Sequence, residues 1–556
     1  MFIKDQDNNI LSDIQKYQQE EQEFLAEKLA QTLNLSYFNL QYVKPSTDAL
    51  EIIPEAKARE LKLIPISKSY KTLVLGILDP TSDEVQKFLE ELKKEGWELK
   101  IGVISENSLN KGLEAYKYLK KEKFSYREKL EIDPEILKEL EEKIKTKEDI
   151  AEFVKETVYQ RPFVALDIIF ASALKFDASD IHLEPQDKDV RVRLRIDGIL
   201  YEVATIPKEK YLPIKNRIKL ASKLYINITN QPQDGKFSII RQDKRFDIRV
   251  STVPGNYDET IVMRILDTSK IMVGLEKLGM REDDFETLSR IIKLPNGLIL
   301  NTGPTGSGKT TTLYAILLRI KSPEIKIITI EDPIEYEIPG ISQTQVDHKR
   351  GYTFASGLRA ALRQDPDVIL VGEIRDNETA NTAINASLTG HLVLSTLHTN
   401  DTLGAIPRLI NLEVEKTLIP PALRLVIAQR LVRKVCQYCK EEYEPDENLK
   451  QKIISKLREI PKKELLAKYN LDNFTLVTGK GCEKCMGTGY KGRLGIFEFL
   501  VMTKKLEELV YEEPSEIKIF NTVRTEGFVT LQEDGLIKAL DKITTIEEVE
   551  RVTGLL

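Results

Sequence analysis

Residues 298–320 read LILNTGPTGSGKTTTLYAILLRI. An apolar run of strand character ends at Asn301, a glycine-rich loop follows, and from Thr311 onward no Pro or Gly interrupts a helix-forming run. The loop, Gly303 to Thr310, fits G-x-x-x-x-G-K-[ST], the pattern that cradles nucleotide phosphates. Its glycines let the backbone curl so that N–H groups point inward, and the helix start behind it adds a dipole that favours anions. On this reading Gly303, Pro304, Thr305, Gly306, Ser307 and Gly308 form the cradle, with Thr311 opening the helix. Lys309 brings a cation to the β- and γ-phosphates of ATP, and Thr310 offers a hydroxyl to Mg²⁺.

Two further apolar runs end in acids. IKIITIEDP leads into Glu331, Asp332 and Glu335, and DVILVGE delivers Glu373. Strand, loop, helix and more strands predict an α/β core with a parallel sheet, whose ligands sit at the carboxyl ends of the strands. Glu373 is then placed to hold Mg²⁺ and its waters opposite the loop. A hydrolase also needs a carboxylate to orient or deprotonate the attacking water. Glu335 is assigned that role, with Glu331 as the alternative. His391 and His398, flanking one more strand in TGHLVLSTLHTN, are expected to sense the γ-phosphate.

The chain has four cysteines, and all fall into two C-x-x-C pairs, Cys436/Cys439 and Cys482/Cys485. Four thiolates in this pattern suit a closed, structural tetrahedral Zn²⁺ site, and Gly481, Gly487 and Gly489 permit a tight knuckle.

With 556 residues the chain exceeds what one core usually supports. Residues 1–116 alternate amphipathic and short apolar runs, a small α/β module. Within it Phe24, Leu25, Leu29 and Leu33 share a helical face. Residues 117–159 are dense in Lys and Glu and read as a charged helical linker. From 160 to 272 an apolar helix precedes VRVRLRIDGILYEV, which alternates as a strand, and a second strand group, an α+β domain. Residues 273–556 hold the ATPase core, with the cysteine insert at about 430–495. Net charge is −6 and no window reads as a membrane span, so neither direct nucleic-acid binding nor membrane insertion is expected. The first fifteen residues carry acids and amides where a signal peptide needs an apolar stretch, which predicts a cytoplasmic protein.

ASDIHLEP (178–185), RLRIDG (193–198), GPTGSGKTTTLY (303–314), TIEDPIEY (329–336), LRQDPDVILVGEIRD (362–376) and TGHLVLSTLHTND (389–401) occur in this order. Together they closely resemble the secretion ATPases that drive type II secretion and type IV pilus assembly. The resemblance implies a homo-hexamer with a RecA-like ATPase domain preceded by an α+β (PAS-like) domain, whose arginines complete the site between them. Carried onto this chain, those are Arg193, Arg195 and Arg217. It also implies a motor acting on an inner-membrane platform protein, recruited to the inner face of that membrane. The cysteine insert resembles that of the secretion and pilus-extension members, and pilus extension is the favoured pathway, type II secretion the alternative. A DNA-uptake or DNA-translocating ATPase is the more distant one. Some relatives bind cyclic-di-GMP at the N-terminus through an R-L-G-containing motif. Residues 1–50 hold none, and the module is expected to dock on the platform instead.

Overall fold

The computed structural model describes residues 21–40, 43, 45–50, 52–69, 71–94, 96–119, 129–131, 143–159, 161–241, 244–267 and 273–556. The chain forms two compact units, residues 1–127 and 128–556. The signal-peptide reading of the first fifteen residues lies outside the described residues, as do residues 120–128 and 132–142 of the stretch read as a charged linker.

In the first unit, strands β1 (Ser36–Tyr37), β2 (Leu63–Ser69), β3 (Thr72–Ile77) and β4 (Glu98–Val103) form a sheet in the order β1-β4-β3-β2. Helices α1 (Asp83–Lys94) and α2 (Glu106–Leu119) pack against it. The helix over 21–32 departs from its sequence pattern. It is held through Ala26 and Ala30, which let it approach Val103 closely, while Phe24, Leu25 and Leu29 face outward.

The second unit begins its sheet with β5 (Lys129–Glu131), inside the stretch read as linker, and its helices with α3 (Lys147–Val158) and α4 (Pro162–Lys175). Pro162 opens α4 at a position where a missing N–H does no harm, and Ala165 to Leu174 are all buried. The strands are β6 (Asp180–Pro185), β7 (Asp189–Ile196), β8 (Ile199–Pro207), β9 (Gln233–Arg241), β10 (Lys244–Val253) and β11 (Thr260–Asp267), ordered β5-β9-β10-β11-β6-β7-β8. Helix α5 (Lys208–Ala221) follows β8. The stretch VRVRLRIDGILYEV is thus a hairpin rather than one strand. Asp197 and Gly198 both take positive φ (48° and 87°), the two-residue turn whose twist matches antiparallel strands. On β7 the valines and Leu194 point into the core and the arginines point out.

Helix α6 (Glu282–Ile291) leads into a second seven-stranded sheet, which carries the glycine-rich loop. Its strands are β12 (Gly297–Thr302), β13 (Ile327–Glu331), β14 (Ser342–Gln345), β15 (Val368–Val371), β16 (Leu392–Leu397), β17 (Leu423–Val435) and, after the small pair β18 (Lys440–Tyr443) and β19 (Leu476–Gly479), β20 (Tyr490–Val501). They are ordered β14-β13-β15-β16-β12-β17-β20, all parallel except the β17·β20 pair. Helices α7 (Lys309–Ile320), α8 (Phe354–Ala361), α9 (Asn377–Leu388), α10 (Leu531–Leu540) and α11 (Ile546–Thr553) are among the helices of the domain. Every residue of β12, β13, β15 and β16 is buried, as expected for a parallel sheet covered on both faces. β17 runs to Val435 and β20 starts at Tyr490, so both strands enter the stretch of about 430–495 read as the cysteine insert. Both strands escaped the sequence reading, which expected helices after about residue 415.

Candidate nucleotide site and cysteine cluster

The loop after β12 emerges at the carboxyl edge of the sheet. Gly303, Gly306 and Gly308 all take positive φ (142°, 80° and 91°), so the cradle needs glycine for its backbone path. Gly303 is crowded as well: a Cβ there would lie 2.7 Å from the Gln429 carbonyl oxygen and 2.8 Å from Ser307 Oγ. Pro304, Thr305, Gly306 and Thr310 are exposed at the rim and Ser307 is buried beneath it, while Gly308, Lys309 and Thr311 are half-buried. Helix α7 starts at Lys309 with no side chain capping it, which leaves its first N–H groups turned toward the cradle. Lys309 Nζ donates to the carbonyls of Gly303 (2.7 Å) and Pro304 (3.1 Å). Burial, and then the Arg430 guanidinium, lower its pKa.

Two residues of β17 that the sequence reading missed lie beside this loop. Gln429 Oε1 accepts from Thr312 Oγ1 (2.7 Å) and Asn301 Nδ2 (3.3 Å), tying the loop's two flanks together. Arg430 donates to the Asn400 carbonyl, and burial lowers its pKa. Nothing in the run AQRLVRK marks them, because their relevance comes from the pairing of β12 with β17.

Glu373 lies just past β15, and the Ser395 and Thr396 hydroxyls of β16 hold its strand end by donating to the carbonyls of Val371 (2.7 Å) and Gly372 (2.8 Å). Its Oε2 lies 3.0 Å from His398 Nε2 and 2.7 Å from Arg375 Nε, and its charge reaches Lys309. The two histidines part company. His398 follows β16 on the nucleotide edge, whereas His391 precedes it, beside Gly297 at the opposite edge, with Nδ1 3.0 Å from the Ala386 carbonyl oxygen. Seven residues of extended chain put them roughly 23 Å apart. The structure does not bring His391 to the loop of its own chain.

The three acids after β13 also separate. Glu331 turns inward and is buried, accepting from Thr329 Oγ1 (2.6 Å), Gln343 Nε2 (3.2 Å) and Tyr314 OH. Burial and that hydrogen bond hold Tyr314 well above its usual range. Asp332 lies 3.7 Å from His348. Glu335 faces the α+β domain, where Arg249 of β10 meets it: Nη1 lies 3.0 Å from Glu335 Oε2 and Nη2 donates to the Ile334 carbonyl at 2.6 Å. Arg249 is a second omission of the sequence reading. The three expected arginines are instead engaged inside the α+β domain: Arg193 with Glu184, Arg195 with Asp180 (3.2 Å), and Arg217 with Asp167 (3.3 Å) and the Phe163 carbonyl (3.0 Å).

The four cysteines converge at the end of the β17·β20 pair. Their sulfurs all lie within 4.8 Å of one another, with Cys436–Cys482 at 3.9 Å and Cys439–Cys485 and Cys482–Cys485 at 3.8 Å. A tetrahedron with metal–sulfur bonds of about 2.3 Å has edges of about 3.8 Å, so the set fits one ion and no disulfide. Burial pushes the Cys439 thiol up to about 12. At Cys485 burial acts the same way, but N–H groups of Cys482 and Gly489 outweigh it and bring the thiol to about 7.

The family described as Type II/IV secretion system protein matches residues 156–551. The chain belongs to this family. Among its relatives, the type IV pilus assembly ATPase PilB of Thermus thermophilus is 39% identical over 532 residues, 95% of this chain and 57% of that protein. This chain therefore spans little more than half of that relative's length. The type II secretion system ATPase E of Vibrio cholerae is 44% identical over 415 residues, 74% of this chain and 79% of that protein. The structure of the Legionella pneumophila ATPase DotB superposes with a TM-score of 0.51 at 22% identity, covering 70% of this chain and 95% of that one, a likeness of fold. The RecA-like core and the domain before it are those of secretion-family ATPases. No helix among the described residues is long and apolar enough to cross a membrane.

Proposed function

We propose that the chain is an ATP-hydrolysing motor of type IV pilus assembly. What supports this reading above all is the convergence of Lys309, Glu373 and His398 at one sheet edge, in a chain alignable over 95% of its length with a named pilus assembly ATPase. ATP phosphates would lie on Gly303 to Thr311, with Lys309 neutralising them. Thr310 and Glu373 would hold Mg²⁺, which spreads the charge of the transferring phosphoryl group. Glu335 is the group assigned to the attacking water. His398 is suited to report γ-phosphate to Glu373, its hydrogen-bond partner. Zn²⁺ at Cys436, Cys439, Cys482 and Cys485 is structural.

The wider assignment is a homo-hexamer working on an inner-membrane platform protein, with the module of residues 1–116 as its dock. Arg193, Arg195 and Arg217 of the 160–272 domain are assigned to complete the site, exchanging carboxylate partners for phosphate on assembly. Type II secretion is the second reading, favoured by the 44% identity to a secretion ATPase over 415 residues. The first test is ATP turnover by purified chain and by Lys309→Ala. A rate unchanged by the substitution rules out this site. Deleting the gene and counting surface filaments then separates the pathways: lost pili with normal protein secretion assign pilus assembly, and retained pili with a secretion defect assign the alternative.

A further inference from the structure

The cysteine cluster faces the α+β domain. Cys482 and Cys485 bracket a single short helical turn, Glu483–Cys485, and Met486 follows with φ 53°, a backbone setting rarely kept by a residue with a side chain. Met486 is 4% exposed and belongs to the hydrophobic core of the α+β domain, the one buried residue beyond position 263 in that cluster among the described residues. Around it lie polar contacts between the same two domains. Asp197, in the β7–β8 turn, accepts from the Gly492 N–H at 2.8 Å and lies 3.8 Å from Arg493. Arg433 donates to Tyr201 OH at 2.9 Å, and Lys145 pairs with Glu483 at 3.1 Å. The RLRIDG motif thus ends in a turn that grips the start of β20, just past the cysteine insert.

We propose that the metal knuckle is the clamp between the ATPase domain and the α+β domain, with Met486 as its knob. The proposal rests on the metal reading of the four cysteines. One ion bound by Cys482 and Cys485 together with Cys436 and Cys439 fixes the turn to the end of β17, and the turn in its left-handed exit directs Met486 into the neighbouring core. Motion of β17 beside the nucleotide loop is thereby passed to the α+β domain at a point separate from the Arg249–Glu335 contact. Arg433 and Arg430 sit on the same strand, so clamp and cradle share one element.

The experiment uses the full chain and reads amide hydrogen exchange of peptides covering 143–149 and 196–199, with metal content measured by atomic emission on the same samples. Met486→Ser is expected to keep one zinc per chain and to exchange roughly tenfold faster in both peptides, because the docked surface opens locally. Asp197→Asn, which preserves a residue tolerant of positive φ, is expected to speed exchange in both peptides by a smaller factor. Removing zinc with a chelator should reproduce the Met486→Ser pattern. Wild-type exchange in a zinc-replete Met486→Ser chain overturns the clamp. A wild-type chain that carries no metal overturns the cysteine reading instead, and the emission measurement distinguishes the two.

Discussion

Arg249 and Glu335 stand 86 positions apart in the chain and form an ion pair of 3.0 Å between the α+β domain and the acid loop of the ATPase domain. Both are about one-third exposed, and the second guanidinium nitrogen holds the Ile334 carbonyl at 2.6 Å. The carboxylate proposed to act on water is therefore held from outside its own domain.

Arg249→Ala should reduce ATP turnover on the order of tenfold while changing unfolding free energy by no more than about 1 kcal/mol, since exposed pairs contribute little to stability. Steady-state kinetics and chemical denaturation on one preparation check this. The loss should fall on kcat with KM nearly unchanged, because the phosphate cradle is not touched.

Glu335→Gln and Glu331→Gln should behave differently although four positions separate them. Glu335→Gln keeps nucleotide binding and stability and lowers turnover by about 100-fold, the scale of a lost general base. Glu331→Gln weakens a buried network with Tyr314 and Thr329 and should lower stability by about 1–3 kcal/mol. Thermal melts of both variants, beside their single-turnover rates, decide the assignment. Equal melting temperatures together with a larger rate loss in Glu331→Gln would exchange the roles.

Glu548 of α11 sets an acid limit on stability. Buried as it is, its carboxylate accepts from Arg551 and Arg433, and these donors outweigh burial to hold it at about 2. A depressed carboxyl contributes stability above its unfolded value, near 4.5, and loses it as pH falls toward 2. Glu548→Gln should cost about 3 kcal/mol at pH 7, and the difference from wild type should vanish near pH 2. Denaturation curves at several pH values test the crossover.

Purified chain should carry one zinc per molecule, and Cys436→Ser should lose it together with the fold of the 436–489 segment. Nucleotide binding at Lys309 should persist, because the loop's own supports, Gln429 and Thr312, lie outside that segment. Emission spectroscopy and nucleotide titration measure the two halves separately. A zinc ratio near zero in wild type would refute the site.

The residue pattern alone determined the phosphate loop and the cysteine set. Both are written in local chemistry: glycines at positions of positive φ, a lysine at a helix start, and thiols whose type and pairing suit one metal. Sequence also placed Glu373, because an apolar run ending in an acid delivers that acid to the edge of a parallel sheet. Other assignments required the folded chain. His391 and His398 look equivalent in sequence, but the strand between them carries them to opposite edges. Glu331 and Glu335 look like one cluster until β13 ends, one turning into the core and the other outward. Arg249, Gln429, Arg430 and Met486 bear no local signal at all. Their roles arise from strand order and domain docking, which bring together residues tens to hundreds of positions apart, and such pairings are fixed by packing of whole faces rather than by any short motif.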